Sequence, residues 1–433
     1  MRKKDAVRSR VKNKSLSVAV SSFILTTLTA CGGGGGGSDE NSGGNLTPEP
    51  TPNPNPALAL INHDADSPFD GTGVRVAIYD SGINASHDEF SDLVLSQFSG
   101  SFYSYTEVQG TDVVRILDET PNDDEDEDFS DSNNGRAGHG TGVASALVGN
   151  TRGVSSDSEL FFFDVNNLEE TDGSGNVIAV DPIAVRPDSS AALLHTAENA
   201  DLLGLNFANY SITNVATVIV EDGISNESTW DNIVTNDVGM IAAAGNTGYS
   251  FSDIFVNTDT VPECTDEEFD NATGYERDRC IALRFDRGSD YPTTLIPAYE
   301  EQIMIVGAVN ASLELERYSN FPGDSCDLQE RWMVAPGTIT AADYDSDTDI
   351  VTQSGTSFAA PLVTGAAAAV AEAFPSLSNK AVLRLLLSTA DRSFTGYNAD
   401  EHGQGLLDLK AALSANPSDY ADGAPDNLRS ICL

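Results

Sequence analysis

Short apolar runs that alternate with helix-like stretches constrain the fold of this chain more than any other feature. A run before Asp80 is followed by further runs at Leu160–Val165, Leu202–Asn206, Met240–Ala244 and Ile303–Ala308. Strands that alternate with helices in this way form a doubly wound parallel sheet with flanking helices. We therefore predict an α/β fold for residues 58–433, as a single domain without internal repeats and with loop insertions near residues 100–135 and 249–295.

A serine stands at a predicted helix start in the C-terminal part of the chain. Residues 353–361 read Gln-Ser-Gly-Thr-Ser-Phe-Ala-Ala-Pro, and the apolar run from Phe358 to Ala373 predicts a buried helix. The free N–H groups at a helix start place Ser357 in a positive field, which suits a nucleophile whose attack creates an oxyanion. An ordinary N-cap serine gives the same pattern, so this segment alone leaves both interpretations open.

Two further segments favour the catalytic interpretation. Residues 74–82, Val-Arg-Val-Ala-Ile-Tyr-Asp-Ser-Gly, predict a buried strand with Asp80 at its carboxyl end, the edge at which open α/β sheets place functional groups. Residues 138–149 begin Gly-His-Gly-Thr-Gly and predict a second helix start beside His139, in a chain with five histidines. Asp, His and Ser follow one another in the chain order of the acyl-transfer triad of subtilisin.

A side-chain amide adds a fourth element. Residues 240–248 read Met-Ile-Ala-Ala-Ala-Gly-Asn-Thr-Gly, an apolar run that ends in Gly-Asn. An amide at a strand end can donate a hydrogen bond to a developing oxyanion, although Gly-Asn by itself is usually a turn. Asn246 is therefore a candidate oxyanion donor.

Together these segments resemble the subtilases, the subtilisin-like serine peptidases. The Asp-Ser-Gly, Gly-His-Gly-Thr and Gly-Thr-Ser-Phe-Ala-Ala-Pro blocks are specific when they occur in this order, and the similarity runs from about Leu58 to about Leu413. The block Gly-Gln-Gly-Leu-Leu-Asp at residues 403–408 is similar to the end of the catalytic domain in the autotransporter-passenger-like subgroup.

The resemblance implies a mechanism. Ser357 attacks a peptide carbonyl, His139 takes the proton and returns it to the leaving amine, and Asp80 fixes the imidazole. The Ser357 backbone N–H and the Asn246 amide hold the oxyanion. No metal or organic cofactor is required for this chemistry.

The resemblance also locates the substrate cleft. Residues 205–210, Leu-Asn-Phe-Ala-Asn-Tyr, correspond to the family strand that pairs with the substrate backbone. The residues expected to line the cleft are Ala208, Asn209 and Tyr210 in this strand and Ala243, Ala244 and Gly245 before Asn246. Tyr210 either narrows the first specificity pocket or points to solvent, and the sequence leaves both readings open.

Two positions after His139 depart from the family pattern. Gly142 stands where the family usually has a second histidine, and Ser145 replaces the usual glycine. The helix is expected to run directly into residues 149–154 without the family's calcium-binding insertion. A structural calcium ion is left unassigned.

The N-terminus resembles a bacterial lipoprotein signal. Seven basic residues precede the apolar stretch Leu16–Ala30, which is too short for an ordinary retained membrane helix and is followed by Cys31 and six glycines. We expect a signal peptide over residues 1–30, lipid attachment at Cys31 and an exported protein at the outer membrane. A plain secretory signal with an incidental cysteine is the alternative. Residues 31–57 read as a Gly/Pro/Asn-rich tether, and we expect folding without a folded propeptide.

The chain is strongly acidic. Its formal net charge of −44 argues against nucleic acid as a partner, because nucleic-acid binding depends on basic contacts. The acidic surface suits either salty water or the attraction of cationic substrates. The run Asp123–Asp128, eleven residues before His139, has three readings: a solvated loop, a calcium-binding loop, or a recognition loop for Lys and Arg.

Cysteine usage suits an oxidising compartment. With Cys31 acylated, four cysteines remain, and four allow three pairings. Cys264 and Cys280 enclose 15 residues of a polar insertion that forms a poor core. We therefore predict a Cys264–Cys280 bridge, which leaves Cys326 to pair with Cys432.

These observations predict an exported, lipid-anchored serine endopeptidase that acts on proteins or peptides and contacts the membrane through Cys31. We expect a monomer. One alternative is a dedicated maturation protease for a single surface protein. Another is a catalytically silent binding protein on the same scaffold, although the intact set of four site residues argues against it.

Overall fold

The apolar runs of the sequence form the strands of one large sheet. The computed structural model describes residues 55–96, 100–109, 112–121, 138–164, 185–187, 203–211, 232–251 and 300–424. These residues fall within one compact unit, Pro52–Leu433. The signal and tether segments, Cys31, the acidic run 123–128 and three of the four other cysteines lie outside the described residues.

Twelve strands are present in the described part of the chain. They are β1 (Arg75–Asp80), β2 (Val94–Leu95), β3 (Gly100–Gln109), β4 (Asp112–Pro121), β5 (Glu159–Asp164), β6 (Val185–Pro187), β7 (Phe207–Tyr210), β8 (Gly239–Ala243), β9 (Ile303–Val309), β10 (Trp332–Pro336), β11 (Thr338–Ala342) and β12 (Ile350–Ser354).

The main sheet confirms the predicted α/β fold. Its strand order is β10-β9-β8-β7-β1-β5-β3-β4, and the first seven of these strands are parallel. Strand β4 closes the edge as an antiparallel partner of β3, and this hairpin starts the insertion predicted near residue 100. Short strands β2 and β6 pair with β5 and β3. Strands β11 and β12 form a separate antiparallel hairpin.

Seven α-helices lie wholly within the described ranges. They are α1 (Pro56–Leu60), α2 (His139–Val148), α3 (Cys326–Glu330), α4 (Thr356–Ala373), α5 (Asn379–Thr389), α6 (Ala399–His402) and α7 (Leu409–Leu413), with 3-10 turns at Asp88–Phe90, Glu300–Gln302 and Pro417–Asp419. Helix α2 ends directly at Gly149, whose N–H bonds to the Ser145 carbonyl, as the sequence predicts.

Both faces of the sheet are buried, as a parallel sheet between two layers requires. Alternate residues of β1 show this directly, because Val76 and Ile78 belong to one apolar cluster whereas Ala77 and Tyr79 belong to the other. Helices α2, α4 and α5 contribute to the cluster of Ile78. The site therefore rests on a core that is packed on both sides.

Helix α4 lies at the centre of this core. Among the helices of the described ranges it alone has the length and apolarity to cross a bilayer, with a mean hydropathy of 1.2 over 18 residues. Of that stretch, 83% is buried inside the protein. Such burial is what the core helix of a folded domain shows.

One predicted strand lies further along the chain than expected. The apolar run Leu202–Asn206 only leads into β7, which starts at Phe207. Gly204 adopts φ +57°, and the Asn206 side chain accepts a hydrogen bond from the Arg75 N–H at 3.0 Å. The segment 202–206 therefore ends in a turn that is hydrogen-bonded to the start of β1. Strand β7 is built from the less apolar residues that follow this turn.

Candidate active site

Asp80 ends the central strand β1 at the carboxyl edge of the sheet. Its neighbours β5 and β7 bury the side chain completely. Oδ1 accepts hydrogen bonds from the Ser81 backbone N–H at 2.8 Å and from Nδ1 of His139 at 2.7 Å. The carboxylate is therefore held in one orientation and directed at the histidine.

His139 begins helix α2. Gly138 before it has φ +84°, a left-handed conformation that favours glycine, and this turn starts the helix at the edge where β1 ends. The imidazole packs against the Phe358 ring at 5.3 Å, and 22% of the side chain is exposed. Because Nδ1–H donates to Asp80, Nε2 carries the free lone pair of a general base.

Ser357 is the second residue of helix α4. Gly355 is the N-cap residue of this helix, with φ +156° and ψ +161°, and joins the helix directly to the end of strand β12. Ser357 is 6% exposed, and its Oγ donates to the carbonyl oxygen of Ser211 at 2.7 Å. Within the described residues, Ser357 and His139 form no hydrogen bond with each other. The Ser357 hydroxyl is thus held by the residue that directly follows strand β7.

Asn246 lies just beyond the end of β8, where its side chain is exposed. Its Oδ1 accepts hydrogen bonds from the N–H of Thr356 at 2.9 Å and from the Thr356 hydroxyl at 3.0 Å. The same hydroxyl accepts from the Gly245 N–H at 3.0 Å. These bonds fix which way the amide faces, so that Nδ2 is left to donate to an oxyanion.

The strand residues predicted to line the cleft do not lie there. Strand β7 is hydrogen-bonded to β1 on one side and to β8 on the other, so it has no free edge for a substrate backbone. Ala208 and Asn209 are completely buried and Tyr210 is 1% exposed, with its ring 5.3 Å from that of Tyr79. Tyr210 therefore does not point to solvent, and its role in the first specificity pocket stays a prediction.

Asn209 instead supports the nucleophile from behind. Its Nδ2 donates to the Ser211 hydroxyl at 2.8 Å, and that hydroxyl donates to the Ser357 carbonyl at 2.9 Å. Thr364 on helix α4 donates to Oδ1 of Asn209 at 3.1 Å. Ser211, which the sequence analysis did not identify, is thus the residue of this segment that contacts the site. The available signal was an asparagine and a serine two residues apart at the end of a buried strand.

The three residues before Asn246 are placed beside the site. Ala243 and Ala244 are buried in the two apolar clusters, and Gly245 is half-buried with φ +96°. The Gly245 carbonyl accepts from the Asn320 N–H at 3.1 Å. Their contact with a substrate stays a prediction.

No metal site is apparent in the ranges that the structure describes. They contain no group of three or more His, Cys, Asp or Glu side chains that could hold an ion. The four residues that converge on the site, Asp80, His139, Ser357 and Asn246, are suited to acyl transfer by a serine nucleophile.

Comparison with known proteins agrees with this geometry. The profile of the subtilase family, Peptidase_S8, matches residues 71–406. Subtilisin DY of Bacillus licheniformis is 25% identical over 347 residues, which cover 79% of this chain and 92% of that protein. Mycosin-4 of Mycobacterium tuberculosis is 25% identical over 84% of this chain and 70% of its own length.

A solved structure has the same fold. The epidermin leader peptide processing serine protease of Staphylococcus aureus superposes with a TM-score of 0.52, at 18% identity, over 83% of this chain and 80% of that one. The family profile spans most of the chain and includes Asp80, His139, Asn246 and Ser357 within its limits. The chain therefore belongs to the subtilase family and is a subtilisin-like serine endopeptidase.

Proposed function

We propose that this protein is an exported, lipid-anchored endopeptidase that cleaves proteins or peptides through a triad of Asp80, His139 and Ser357. The observation that carries the triad is the 2.7 Å bond between the buried Asp80 carboxylate and Nδ1 of His139, beside a serine at a helix start. This arrangement directs Nε2 of the imidazole away from Asp80 and leaves it available as a base.

The first chemical step needs a rotation of the nucleophile. Ser357 releases the Ser211 carbonyl and turns its hydroxyl toward His139, which accepts the proton as Oγ attacks the scissile carbonyl. The tetrahedral oxyanion then receives hydrogen bonds from the Ser357 N–H, at the positive start of α4, and from Nδ2 of Asn246.

The remaining steps use the same residues. His139 gives its proton to the leaving amine, and the acyl group stays on Oγ of Ser357. Water then enters, and its oxygen attacks the acyl carbonyl while His139 removes a proton from it. The second tetrahedral intermediate collapses as His139 returns this proton to Oγ of Ser357, which releases the free acid and restores the serine. Asp80 keeps Oδ1 hydrogen-bonded to Nδ1–H of His139 throughout and stabilises the imidazolium charge without taking the proton.

A fluorophosphonate serine probe tests the proposed chemistry. The wild-type protein is expected to be labelled at Ser357 and to hydrolyse casein. Ser357→Ala is expected to lose both activities, whereas the control Ser354→Ala, at an exposed serine three residues earlier, is expected to keep both. Casein cleavage by Ser357→Ala at a rate comparable with that of the wild type would refute the assignment. An unlabelled and inactive wild type would instead support the silent binding protein.

The proposed anchor rests on the sequence Leu-Thr-Ala-Cys followed by glycines. Several acyl chains give stable membrane attachment where one chain is marginal. Cells grown with labelled palmitate are expected to label the wild type but not Cys31→Ser, and only the wild type is expected to partition into detergent. A soluble, unlabelled wild-type protein would exclude lipid anchoring and leave an ordinary secreted protease.

Substrate range separates a general endopeptidase from a maturation protease. The Staphylococcus aureus protein of the same fold processes the epidermin leader peptide, as its name states, although the likeness at 18% identity concerns the fold. A proteome-derived peptide library, digested and sequenced by mass spectrometry, is expected to show cleavage at many sites. Cleavage of only a few sequences with a shared motif would favour the dedicated maturation protease.

A further inference from the structure

The helix that carries His139 is fastened to the β11–β12 hairpin, which leads into Ser357. Nε2 of Gln353, on β12, donates to the carbonyl oxygen of Gly138 at 2.9 Å. The hydroxyl of Ser145, on α2, accepts from the Ala342 N–H at the end of β11 at 3.1 Å. Gln353 lies four residues before Ser357, and Gly138 lies one residue before His139. One side-chain amide therefore bridges the segments that hold the base and the nucleophile.

Gly142 provides the space for this amide. A Cβ atom at position 142 would overlap Oε1 of Gln353 and would lie 3.0 Å from Cε1 of Phe358. Any side chain there would therefore displace Gln353 from its position against the first turn of α2. Gly142 and Gln353 form a matched pair, although 211 positions separate them in the chain.

The Gly138 carbonyl is held from two directions. Besides the bond from Gln353, it accepts the first helical hydrogen bond of α2 from the Gly142 N–H at 3.0 Å. From the hairpin tip, the Tyr344 ring approaches so closely that a Cβ on Gly138 would lie 2.6 Å from its Cδ1. The left-handed turn at Gly138 is thus enclosed by hairpin residues, and this turn sets where the His139 side chain begins.

We propose that Gln353 is a positioning residue for the reaction, which acts through the Gly138 carbonyl to place the His139 imidazole against Ser357. Gly142 is the residue that makes this contact possible. The proposal rests on the proposed triad. Its physical basis is that catalytic groups misplaced by about 1 Å can cost 10²-fold in rate, so a smaller shift of the first turn of α2 is expected to cost about tenfold.

The first test replaces Gln353 by methionine, which keeps the length and removes the amide. Gln353→Met is expected to lower kcat by about tenfold with little change in KM, and to slow fluorophosphonate labelling of Ser357 by a similar factor. Thr352→Ala, at the exposed neighbouring position of β12, is the matched control and is expected to behave as wild type. Equal kcat values for Gln353→Met and wild type would overturn the proposal.

Two substrates distinguish positioning from direct contact with the substrate. One is a chromogenic peptide amide with no residue after the scissile bond, and the other is the same peptide extended by several residues. Positioning of His139 predicts the same loss of kcat on both. A loss confined to the extended peptide, and expressed in KM, would show that Gln353 binds the leaving segment and would overturn the proposal.

A double-mutant comparison tests the matched pair. Gly142→Ala alone is expected to lower kcat by about tenfold, because it expels Gln353, even though alanine is the better helix former. In the Gln353→Ala background, Gly142→Ala is expected to cost less than it does in the wild type, since only the close approach to Phe358 remains, and that contribution cancels when the two losses are compared. Losses that multiply would show that the two positions act independently and would contradict the pairing.

The controls separate failure of this proposal from failure of the triad. If fluorophosphonate does not label Ser357 in the wild type, the proposed function is wrong, and the positioning role that rests on it is wrong as well. If the wild type is labelled and Gln353→Met matches it, the triad stands and the positioning role alone is excluded. Thermal unfolding of each variant verifies that rates are compared between folded proteins.

Discussion

Ser211 and Ser357 form two hydrogen bonds with each other. The Ser357 hydroxyl donates to the Ser211 carbonyl at 2.7 Å, and the Ser211 hydroxyl donates to the Ser357 carbonyl at 2.9 Å. The second bond replaces a helical one, because Pro361, four residues after Ser357, has no N–H to donate. Ser211, which directly follows strand β7, therefore donates to the carbonyl of the nucleophile residue that the helix leaves without a partner.

Removing the support behind this pair is expected to affect stability and turnover together. Asn209→Ala deletes the amide that donates to Ser211 and accepts from Thr364, so each of these two buried hydroxyls loses one hydrogen bond and keeps another. We expect a loss of about 1–3 kcal/mol in the free energy of unfolding and a lower kcat. Denaturant unfolding and steady-state kinetics measure the two effects.

Thr364→Val serves as the milder comparison for Asn209→Ala. It removes only the hydroxyl at the far end of the network and keeps the Asn209–Ser211 bond. The expected order of kcat is wild type, then Thr364→Val, then Asn209→Ala. If Asn209→Ala unfolds less readily than wild type or keeps full turnover, the network has no supporting role.

The oxyanion donor is expected to act on kcat. Asn246→Ala removes Nδ2 and is expected to lower kcat by roughly 10²–10³-fold with little change in KM, which is the range known for loss of the corresponding donor in subtilisin. Thr356→Val, which removes one of the two bonds that orient the amide, is expected to have a smaller effect in the same direction. A tenfold or larger rise in KM at constant kcat would instead assign Asn246 to ground-state binding.

Much of this site can be predicted from local sequence patterns. The features that cannot be predicted in this way depend on residues that are distant in the chain. The buried strand before Asp80 and the two helix starts are local patterns, and the structure has them where the sequence predicts them. The spacing of apolar residues does not predict that Asn209 is buried. Its burial is possible because its amide is hydrogen-bonded to Ser211 and to Thr364, which lies 155 residues away in the chain.

The two positions after His139 that depart from the family pattern also could not be explained from local sequence. In the sequence, Gly142 and Ser145 were simply positions at which the family pattern fails. In the structure, each faces the hairpin before Ser357, through Gln353 and Ala342 respectively. Only the fold brings these residues together, since no local propensity connects positions some 200 residues apart.

The disulfide pairing is open to direct measurement. Cys326, the first residue of α3, is disulfide-bonded, and the other cysteines lie outside the described residues. We predict Cys432 as its partner, which would fasten the C-terminal tail to the body. A loop of about 100 residues closed in this way contributes about 4.7 kcal/mol in the chain-entropy model. Cys326→Ser is therefore expected to lower Tm substantially.

Peptide mapping without reduction identifies the partner. A linked pair of fragments that contain Cys326 and Cys432 is the expected result, together with a separate Cys264–Cys280 pair. A fragment that links Cys326 to Cys264 or to Cys280 would contradict both predicted bridges.

The acidic run before His139 is expected to select basic substrates. Asp123–Asp128 belongs to the insertion between two residues of the proposed triad. Replacing it by Asn and Gln is expected to lower kcat/KM for peptides that contain Lys or Arg much more than for neutral peptides, because the carboxylates would attract cationic side chains. Added salt is expected to reduce the difference.

Two other outcomes would assign a different role to the acidic run Asp123–Asp128. Equal changes for basic and neutral peptides would exclude recognition and leave a solvated loop. A fall in the Tm of the wild type on addition of a chelator, absent from the neutralised variant, would identify a calcium-binding loop.

The last prediction concerns stability in mild acid. His402 is buried among the rings of Phe394 and Tyr397, and its Nδ1 lies 2.9 Å from the Asn398 carbonyl. Burial lowers the pKa of His402 below its ordinary value of 6.5, and the nearby Glu401 carboxylate offsets part of this shift. The unfolded chain therefore binds a proton near pH 6.5 that the folded protein does not bind.

The sign of the pH effect follows from that difference. Stability is unaffected by His402 above about pH 6.5, falls as the pH drops through 6.5, and levels off below the pKa of the folded state. We expect the Tm of the Ser357→Ala protein, chosen to prevent autolysis, to decline from pH 8 to pH 5. In the His402→Asn variant of that protein the decline is expected to be smaller but not abolished, because burial lowers the pKa of His63 in the same direction. A decline of equal size in both proteins would show that His402 does not contribute to acid sensitivity.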